Sequence, residues 1–407
     1  MIISEKRSKI NFLSFLWHST FLALASNFMD VDTIIPSMLI KIGGNSIHLG
    51  FLTAIMLGGA SLFQLLFAPI ISSSPIKKTH LIAGINIRIA TLFFIGLMFY
   101  FSNNLSSNII ILLIFILITI FSLSGSYANV AYIDIIGKSI LAEKRKKFFS
   151  IKEIITSTGI FVSAWAVKLL IKKYEYPFNY SLLFTIAAIL LFIASLGFWH
   201  IKEIKSVKSE KRNFLNFFKL LPSETKKNKN LKNYLFIINT AGIGVGFSPF
   251  LILFAKESSP LTYNFIGNIL LFKVTGMILA SILFYKFSKH LNYKTILTFD
   301  IVLGASIPLL ALILKDAPHI YQFIFVLSGI FISILKISNS GILLEISTNE
   351  NRTIYAGIAG AGKIFSTLFP LISGVLIYYL SFTTVFIIVS IIIASSYFFI
   401  KNLTCKE

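Results

Sequence analysis

The chain has 407 residues, 56% of them hydrophobic and only 13% charged, and its formal net charge is +21. A mean hydropathy of +0.84 excludes a water-soluble domain, because so much apolar surface needs lipid as its solvent. The positive charge does not indicate a nucleic-acid partner, since Lys and Arg collect at the ends of apolar segments, as the positive-inside bias predicts. The single cysteine, Cys405, excludes an intrachain disulfide and a cysteine metal cluster.

Twelve apolar segments fill most of the chain, and each is long enough to cross a bilayer, which takes about 20 residues. The first follows Lys6, Arg7 and Lys9 but is too long to be the hydrophobic region of a signal peptide. In chain order the segments are residues 12–39, 47–70, 80–101, 109–136, 149–171, 180–200, 232–256, 262–286, 294–314, 320–345, 354–378 and 382–401. The sequence therefore predicts an all-α integral membrane protein with twelve transmembrane helices in two pseudo-symmetric six-helix bundles, formed by residues 1–200 and 232–407.

A basic stretch over residues 201–231 joins the two sets of six segments and is predicted to be a cytoplasmic linker. Its apolar residues between 214 and 221 favour a short amphipathic helix along the membrane surface, with a flexible linker as the alternative. Most other basic loop residues fall on the same face as this linker. We therefore expect a multi-pass protein of the plasma membrane, the inner membrane of a bacterium, with both termini in the cytoplasm.

Segments 4 and 10 end in a similar pattern: an amide, then an acid, then an arginine in the loop before the next segment. Parallel six-helix repeats are one known plan of secondary transporters, and this echo is what such a repeat predicts. The residues are Asn129, Asp134 and Arg145 in the first half and Asn339, Glu345 and Arg352 in the second.

With twelve segments, a long central loop and this repeated pattern, the chain resembles the major facilitator superfamily over nearly its whole length. The family's signature between helices 2 and 3, Gly-x-x-x-Asp-x-x-Gly-Arg-Lys, is degenerate here. The matching positions hold Pro69, Ser73, Ile76, Lys77 and Lys78, so only the basic pair survives. The aspartate that the family uses in its cytoplasmic gate is therefore missing.

A substitute gate is predicted from the repeated pattern itself, with Asp134 facing Arg145 and Glu345 facing Arg352. The alternative is that these are ordinary helix-end charges, solvated at the membrane interface.

Several charged residues lie inside the predicted spans, where a charge is costly and usually faces a cavity or a partner. The resemblance implies that helices 1, 4, 7 and 10 line a central cavity, that helices 2, 5, 8 and 11 flank it, and that helices 3, 6, 9 and 12 are peripheral. It therefore favours the residues on helices 1, 8, 10 and 11 over Arg88 and Asp300. The favoured residues are Asp30, Asp32, Lys273, Lys336 and Lys363.

Three lysines near one cavity favour an anion, because a partly desolvated ammonium acts there as a point charge. We predict that substrate binds to Lys273, Lys363, Lys336, Asn129 and Asn339. The alternatives are that the lysines pair with the aspartates as structural ion pairs, or that they extend along the lipid to the interface.

Asp30 and Asp32 are predicted to couple transport to protons, because a carboxyl that loses solvent in one conformation binds a proton there. Two residues apart on a helix, they cannot share one face, so at most one is expected to point inward.

In segment 7, Gly242, Gly244 and Gly246 precede Pro249, a pattern typical of either a bent gating helix or close helix packing.

The leading hypothesis is a secondary active transporter that moves a small solute by alternating access, coupled to protons, with an organic anion as the substrate. The main alternative is an exporter of multiple drugs or lipophilic cations, built around the aspartates. An alternative of another class is a membrane receptor or enzyme that transports nothing, but the sequence offers no catalytic cluster and no metal-ligand spacing. We expect no cofactor and, from the resemblance, a monomer.

Overall fold

The computed structural model describes residues 4–404, apart from 73, 205–222, 259–260, 288–291, 348–354, 356–357 and 361. In this part of the chain the regular structure is helical. The predicted amphipathic helix near residues 214–221 lies outside the described residues.

Fifteen α-helices are numbered here in chain order. The first seven are α1 (Glu5–Ser26), α2 (Ile34–Lys41), α3 (Ser46–Ser72), α4 (Lys78–Tyr100), α5 (Ser107–Ser139), α6 (Ala142–Lys173) and α7 (Phe178–Trp199). The others are α8 (Lys229–Thr240), α9 (Ile243–Ser258), α10 (Tyr263–Phe287), α11 (Tyr293–Ile313), α12 (Pro318–Tyr321), α13 (Ile324–Ile346), α14 (Ile364–Tyr379) and α15 (Phe382–Lys401).

The helices confirm a multi-pass membrane protein. Among the described residues, ten helical stretches are long and apolar enough to cross a bilayer, and the stretch Ser46–Gly59 is a shorter apolar helix. Many large apolar side chains on these helices are exposed, which suits a surface that faces lipid. The exact number of twelve transmembrane helices stays a prediction.

Contacts divide the chain into two compact units. The first comprises Met1–Asp30 and Gly59–Phe214, and the second comprises Val31–Gly58 and Leu215–Glu407. Residues 31–58 thus pack with the helices of the second half of the sequence, although they precede the linker. The chain passes between the units within α3, at Gly58 and Gly59.

The first apolar segment is not the single continuous helix predicted over residues 12–39. It divides into α1, a 3-10 turn at Asn27–Met29, a non-helical stretch around Asp30 and Thr33, and then α2. Segment 7 is interrupted at residues 241–242, between α8 and α9, and segment 11 is interrupted before α14, where Lys363 is the N-cap residue. Interrupted helices at membrane depth are tolerated where other groups satisfy the freed backbone atoms.

Small residues allow the helices of the second unit to approach closely. A methyl group added to Gly329 on α13 would collide with the backbone of Lys273 on α10, and one added to Gly276 would collide with the backbone of Val326. Close contact of this kind is how membrane helices associate without a hydrophobic driving force between them. The backbone at Lys273 is therefore held rigidly against α13.

Candidate functional site

A buried ion pair in the second unit joins Asp32 and Lys273. The Nζ atom of Lys273 donates to the Oδ2 atom of Asp32 at 2.7 Å. The lysine side chain is 5% exposed and the aspartate side chain 18% exposed. Burial of both charges makes the pair sensitive, because removing one partner leaves a charge without compensation in a medium of low polarity.

The two halves of the pair are placed by different means. Asp32 lies in the non-helical stretch before α2, so its position depends on the interruption of the first segment. Lys273 lies about 15 Å along α10 from its first residue, close to the middle of a hydrocarbon core about 30 Å thick. Of the alternatives left open for the lysines and aspartates, internal pairing therefore describes this pair in this conformation.

The other predicted substrate residues of the second unit do not join that pair through any described contact. Lys336 is exposed on α13 and lies seven residues beyond Gly329, about 10 Å further along the helix axis. Asn339, on the same helix, has a buried Oδ1 atom without a hydrogen-bond partner among the described residues. Lys363 is half-buried at the N-terminus of α14.

A side chain that the sequence did not single out holds the interruption before α14 together. Asn239 on α8 donates from Nδ2 to the carbonyl of Gly362 at 2.7 Å, and its Oδ1 atom accepts from the backbone N–H groups of Phe365 and Ser366 at 3.1 and 3.2 Å. Asn239 thus caps a helix that begins more than a hundred residues later in the chain. An amide near the end of an interrupted apolar segment is the only signal that the sequence offers for this role.

Asp134, predicted to belong to the gate, forms a charge network within the first unit. Its carboxylate lies 2.9 Å from the Nζ atom of Lys77 and 2.8 Å from that of Lys138. Lys77 is one of the basic pair that survives from the family signature. The side chain of Arg145 lies outside the described part of the chain, so a pairing between Asp134 and Arg145 stays a prediction.

Glu203 completes this network and was missed by the sequence analysis. Its carboxylate is 3% exposed, lies 2.8 Å from the Nζ atom of Lys138, and accepts from the backbone N–H groups of Lys77 and Lys78 at 2.8 and 2.7 Å. A carboxylate at this place satisfies free N–H groups at the start of α4 and suits the positive end of the helix. An isolated acid at the start of a basic linker is the available signal.

The remaining predicted residues lie at other places in the described structure. Asp30 is half-buried at the end of the 3-10 turn in the first unit, and Asn129 is half-buried on α5. Glu345 lies at the end of α13, and its buried Oε2 atom has no hydrogen-bond partner in the described ranges. Arg352, its expected partner, lies outside the described residues.

Of the two charged residues that the resemblance placed on peripheral helices, Arg88 is half-buried and Asp300 is buried. The guanidinium of Arg88 on α4 lies 4.1 Å from the ring centroid of Phe121 on α5, a cation–π contact. Asp300 on α11 is 1% exposed, and neither of its carboxylate oxygens has a hydrogen-bond partner in the part of the chain that is described.

An exposed ion pair at the start of α1 gives a contrasting case. Lys144 donates from Nζ to the Oε1 atom of Glu5 at 2.5 Å, and this hydrogen bond lowers the pKa of the Glu5 carboxyl below its ordinary value of 4.5.

No group of three or more His, Cys, Asp or Glu that could hold a metal ion occurs among the described residues.

Several solved transporter structures share this arrangement of helices. The nucleoside transporter NupG has 14% sequence identity and a TM-score of 0.69, with 97% of this chain and 100% of that chain covered. An auto inhibited POT family peptide transporter has 10% identity and a TM-score of 0.71, with 97% and 96% covered. A bacterial homolog of the human lysosomal transporter Spinster has 11% identity and a TM-score of 0.63, with 98% and 96% covered.

The chain has the major facilitator fold. This confirms the fold that the sequence resemblance predicted. Identities of 10–14% carry the fold alone and leave the substrate open. No protein-family model and no curated protein sequence matches the chain. The three solved structures reported above are transporters.

Proposed function

We propose that this protein is a secondary active transporter that moves a small organic anion together with a proton by alternating access. The observation that carries the proposal is the buried ion pair between Asp32 and Lys273 at mid-membrane depth. Asp32 precedes the linker and Lys273 follows it, so the pair links the two halves of the sequence. The major facilitator fold supports transport, and the ion pair supports the coupling.

Coupling follows from the chemistry of the pair. A proton that binds Asp32 neutralises the carboxylate and weakens the compensation for the ammonium of Lys273. A less compensated ammonium in a largely buried site is unfavourable, and an anionic substrate restores the balance. One proton and one negative charge thus enter the site together, so the net charge of the loaded site equals that of the empty one. Transport of a monovalent anion is therefore electroneutral in this proposal.

Lys363 is the second lysine that we assign to substrate. It lies at the N-terminus of α14, where the helix dipole and the lysine both favour negative charge. Asn339, with its buried and unpartnered Oδ1 atom, is a candidate for the polar part of the substrate. Asn129, Lys336 and Asp30 stay predicted members of the site.

The orientation and the location are also part of the proposal. We assign both termini to the cytoplasm of a bacterial plasma membrane, because the loops on that face carry most of the basic residues. The network around Asp134 is assigned to the cytoplasmic gate, together with Arg145, Glu345 and Arg352, and a monomer is expected to be sufficient.

The deciding experiment is thermal stabilisation of the detergent-purified protein by a panel of organic anions and lipophilic cations. A ligand that binds only the folded state stabilises it by about 2.7 kcal/mol at a hundredfold excess over Kd. The panel is repeated on Lys273→Ala and Lys363→Ala, with Lys286→Ala as the matched control, because Lys286 is an exposed lysine on the same helix as Lys273.

We expect an anion to stabilise the parent protein and Lys286→Ala but neither of the other variants. In proteoliposomes, an inward proton gradient should then drive uptake of that anion, and Asp32→Asn should abolish the dependence on the gradient. Stabilisation by lipophilic cations that is unaffected in both lysine variants would contradict the proposal and favour an exporter that uses the aspartates.

A further inference from the structure

A cavity of about 650 Å³ opens beside the first turns of α8, in the second unit. Its described lining consists of residues from the start of α8 and from the interruption before α14, and none of them belongs to the Asp32–Lys273 pair. The lining residues are Thr225, Lys226, Lys229, Lys232, Leu235, Phe236, Asn239 and Gly362.

The rim of this cavity is strongly basic. Lys226, Lys229 and Lys232 are all exposed, and no acidic residue occurs among the described lining residues. Lys227, one position away, is paired with Glu224 at 3.2 Å and is not part of the lining. The rim therefore holds three positive charges that no lining residue neutralises, which suits an anionic group.

The wall below the rim is apolar. Phe236 stacks on Phe399 of α15 with ring centroids 4.6 Å apart and planes 7° apart, yet it remains 43% exposed. Leu235 lies beside it and faces the interruption at Gly362, where an added methyl group would touch the Leu235 side chain. A free inorganic anion gains nothing from such a wall, whereas a hydrocarbon chain does.

The side-chain amide of Asn239 in the lining is already fully hydrogen-bonded. The two amide hydrogens of Asn239 are donated to the carbonyls of Leu235 and Gly362, and its oxygen accepts from two backbone N–H groups of α14. A ligand in this cavity must therefore place its charged group at the lysine rim and its apolar part along Leu235 and Phe236.

We propose that this cavity binds an anionic phospholipid, with the phosphate of the headgroup at the three lysines and an acyl chain along Phe236. The site lies at the end of a membrane-crossing stretch that begins at Lys229, so its rim is at the depth of lipid headgroups. The bound lipid covers the interruption before α14 and stabilises the capping contact of Asn239.

The test uses the full chain in nanodiscs of phosphatidylcholine with increasing fractions of phosphatidylglycerol. The readouts are the midpoint of thermal unfolding and the lipid that is retained in native mass spectrometry. The variant is the triple substitution Lys226→Gln, Lys229→Gln and Lys232→Gln. A matched control changes three exposed lysines outside the cavity, namely Lys202→Gln, Lys286→Gln and Lys401→Gln, which removes the same charge.

We expect phosphatidylglycerol to raise the unfolding midpoint of the parent protein and of the control, and to be retained by both. The triple cavity variant should bind this lipid on the order of a hundredfold more weakly, since each lysine near an anionic surface contributes about a fivefold change in affinity. Replacing the same three lysines by arginine should preserve binding. That result would show that the glutamine variant binds the lipid weakly because it lacks the charges and not because it is misfolded.

Two results would overturn the proposal. If the triple glutamine variant retains phosphatidylglycerol as well as the control does, the lysines only contribute to the general basic surface of this membrane face. If inorganic phosphate in a phosphatidylcholine nanodisc raises the midpoint as much as phosphatidylglycerol does, the cavity binds a free anion and the apolar wall is irrelevant.

Discussion

The two charge clusters of this protein lie at different places in the fold: one lies at helix ends in the first unit, and the other lies at mid-membrane depth in the second. Glu203 in the first unit binds two backbone N–H groups and a lysine, and Asp134 lies between two lysines. Asp32 in the second unit forms an ion pair with Lys273, which lies close to the middle of α10. A carboxylate at a helix end keeps its other contacts when one is lost, whereas loss of the Asp32–Lys273 contact separates two charges far from the membrane surface. The first arrangement suits the ends of helices, and the second suits a switch.

The largest effect is expected at the pair itself. Lys273→Ala removes the ammonium that pairs with the Asp32 carboxylate, and breaking a buried ion pair in this way destabilises a protein by about 3–5 kcal/mol. Chemical denaturation of the detergent-solubilised protein at neutral pH measures the loss, with Lys286→Ala as the control.

A double variant separates the pair from the rest of the site. Asp32→Asn combined with Lys273→Ala carries no uncompensated charge and should recover part of the stability lost in Lys273→Ala. If the double variant is as unstable as the sum of the two single variants, the two residues do not interact and the switch is excluded.

Glu203 should give the second largest effect. Glu203→Ala removes the acceptor for the N–H groups of Lys77 and Lys78 and leaves them without this partner at the start of α4. Hydrogen bonds to a charged group contribute about 1.5–3 kcal/mol each, so we expect a loss of about 3 kcal/mol. Glu203→Gln is the matched variant, since its side-chain oxygen can still accept one of the two bonds. Equal losses in the two variants would contradict a capping role.

Asp300 differs from both charge clusters, because neither oxygen of its buried carboxyl has a hydrogen-bond partner among the described residues. We therefore expect its replacement to stabilise the fold rather than destabilise it. Replacing it by leucine removes two buried oxygens that make no hydrogen bond in the described structure. An unsatisfied buried polar group costs about 1–3 kcal/mol, so Asp300→Leu should stabilise the fold by about 2 kcal/mol. Asp300→Asn keeps the polar atoms and should gain little. A destabilised leucine variant would mean that the carboxyl is satisfied in the membrane.

The spans of the helices could be predicted well from the sequence because lipid requires long apolar helices. The segments predicted at 80–101 and 180–200 correspond to α4 (Lys78–Tyr100) and α7 (Phe178–Trp199). The interruption at residues 27–33 could not be predicted in this way, since that stretch contains neither glycine nor proline. Its side chains are placed by contacts far away in the chain, such as that of Asp32 with a lysine 241 positions later.

Some residues of the candidate site could be predicted from the sequence, but which of them contact each other could not. Asp32 and Lys273 could be selected from the sequence because they are charged residues inside predicted spans. Such residues are rare, since burying a charge in the membrane is costly unless it faces a cavity or a partner. Their pairing depends on which face each helix presents, and hydropathy contains no such information. For Glu203 even the residue was missed, because one of three acids in a basic stretch looks like a solvated loop residue until the start of α4 is placed beside it.

The smallest effect on stability is expected for substitution of Glu5. If this substitution changes nothing, an exposed ion pair contributes less than either of the two charge clusters. The carboxylate accepts a short hydrogen bond from Lys144, but its side chain is 78% exposed, so solvent and salt screen the pair. The lowered pKa of Glu5 means that any stabilisation is present above its ordinary pKa of 4.5 and is lost as the pH falls through the lower folded value. Because the group is exposed, Glu5→Gln should leave the unfolding midpoint at neutral pH unchanged within error, at low and at high salt. A measurable fall at low salt would show that a single contact at the surface stabilises this fold, and the place of a charge pair in the fold would then no longer separate a structural charge from a switch.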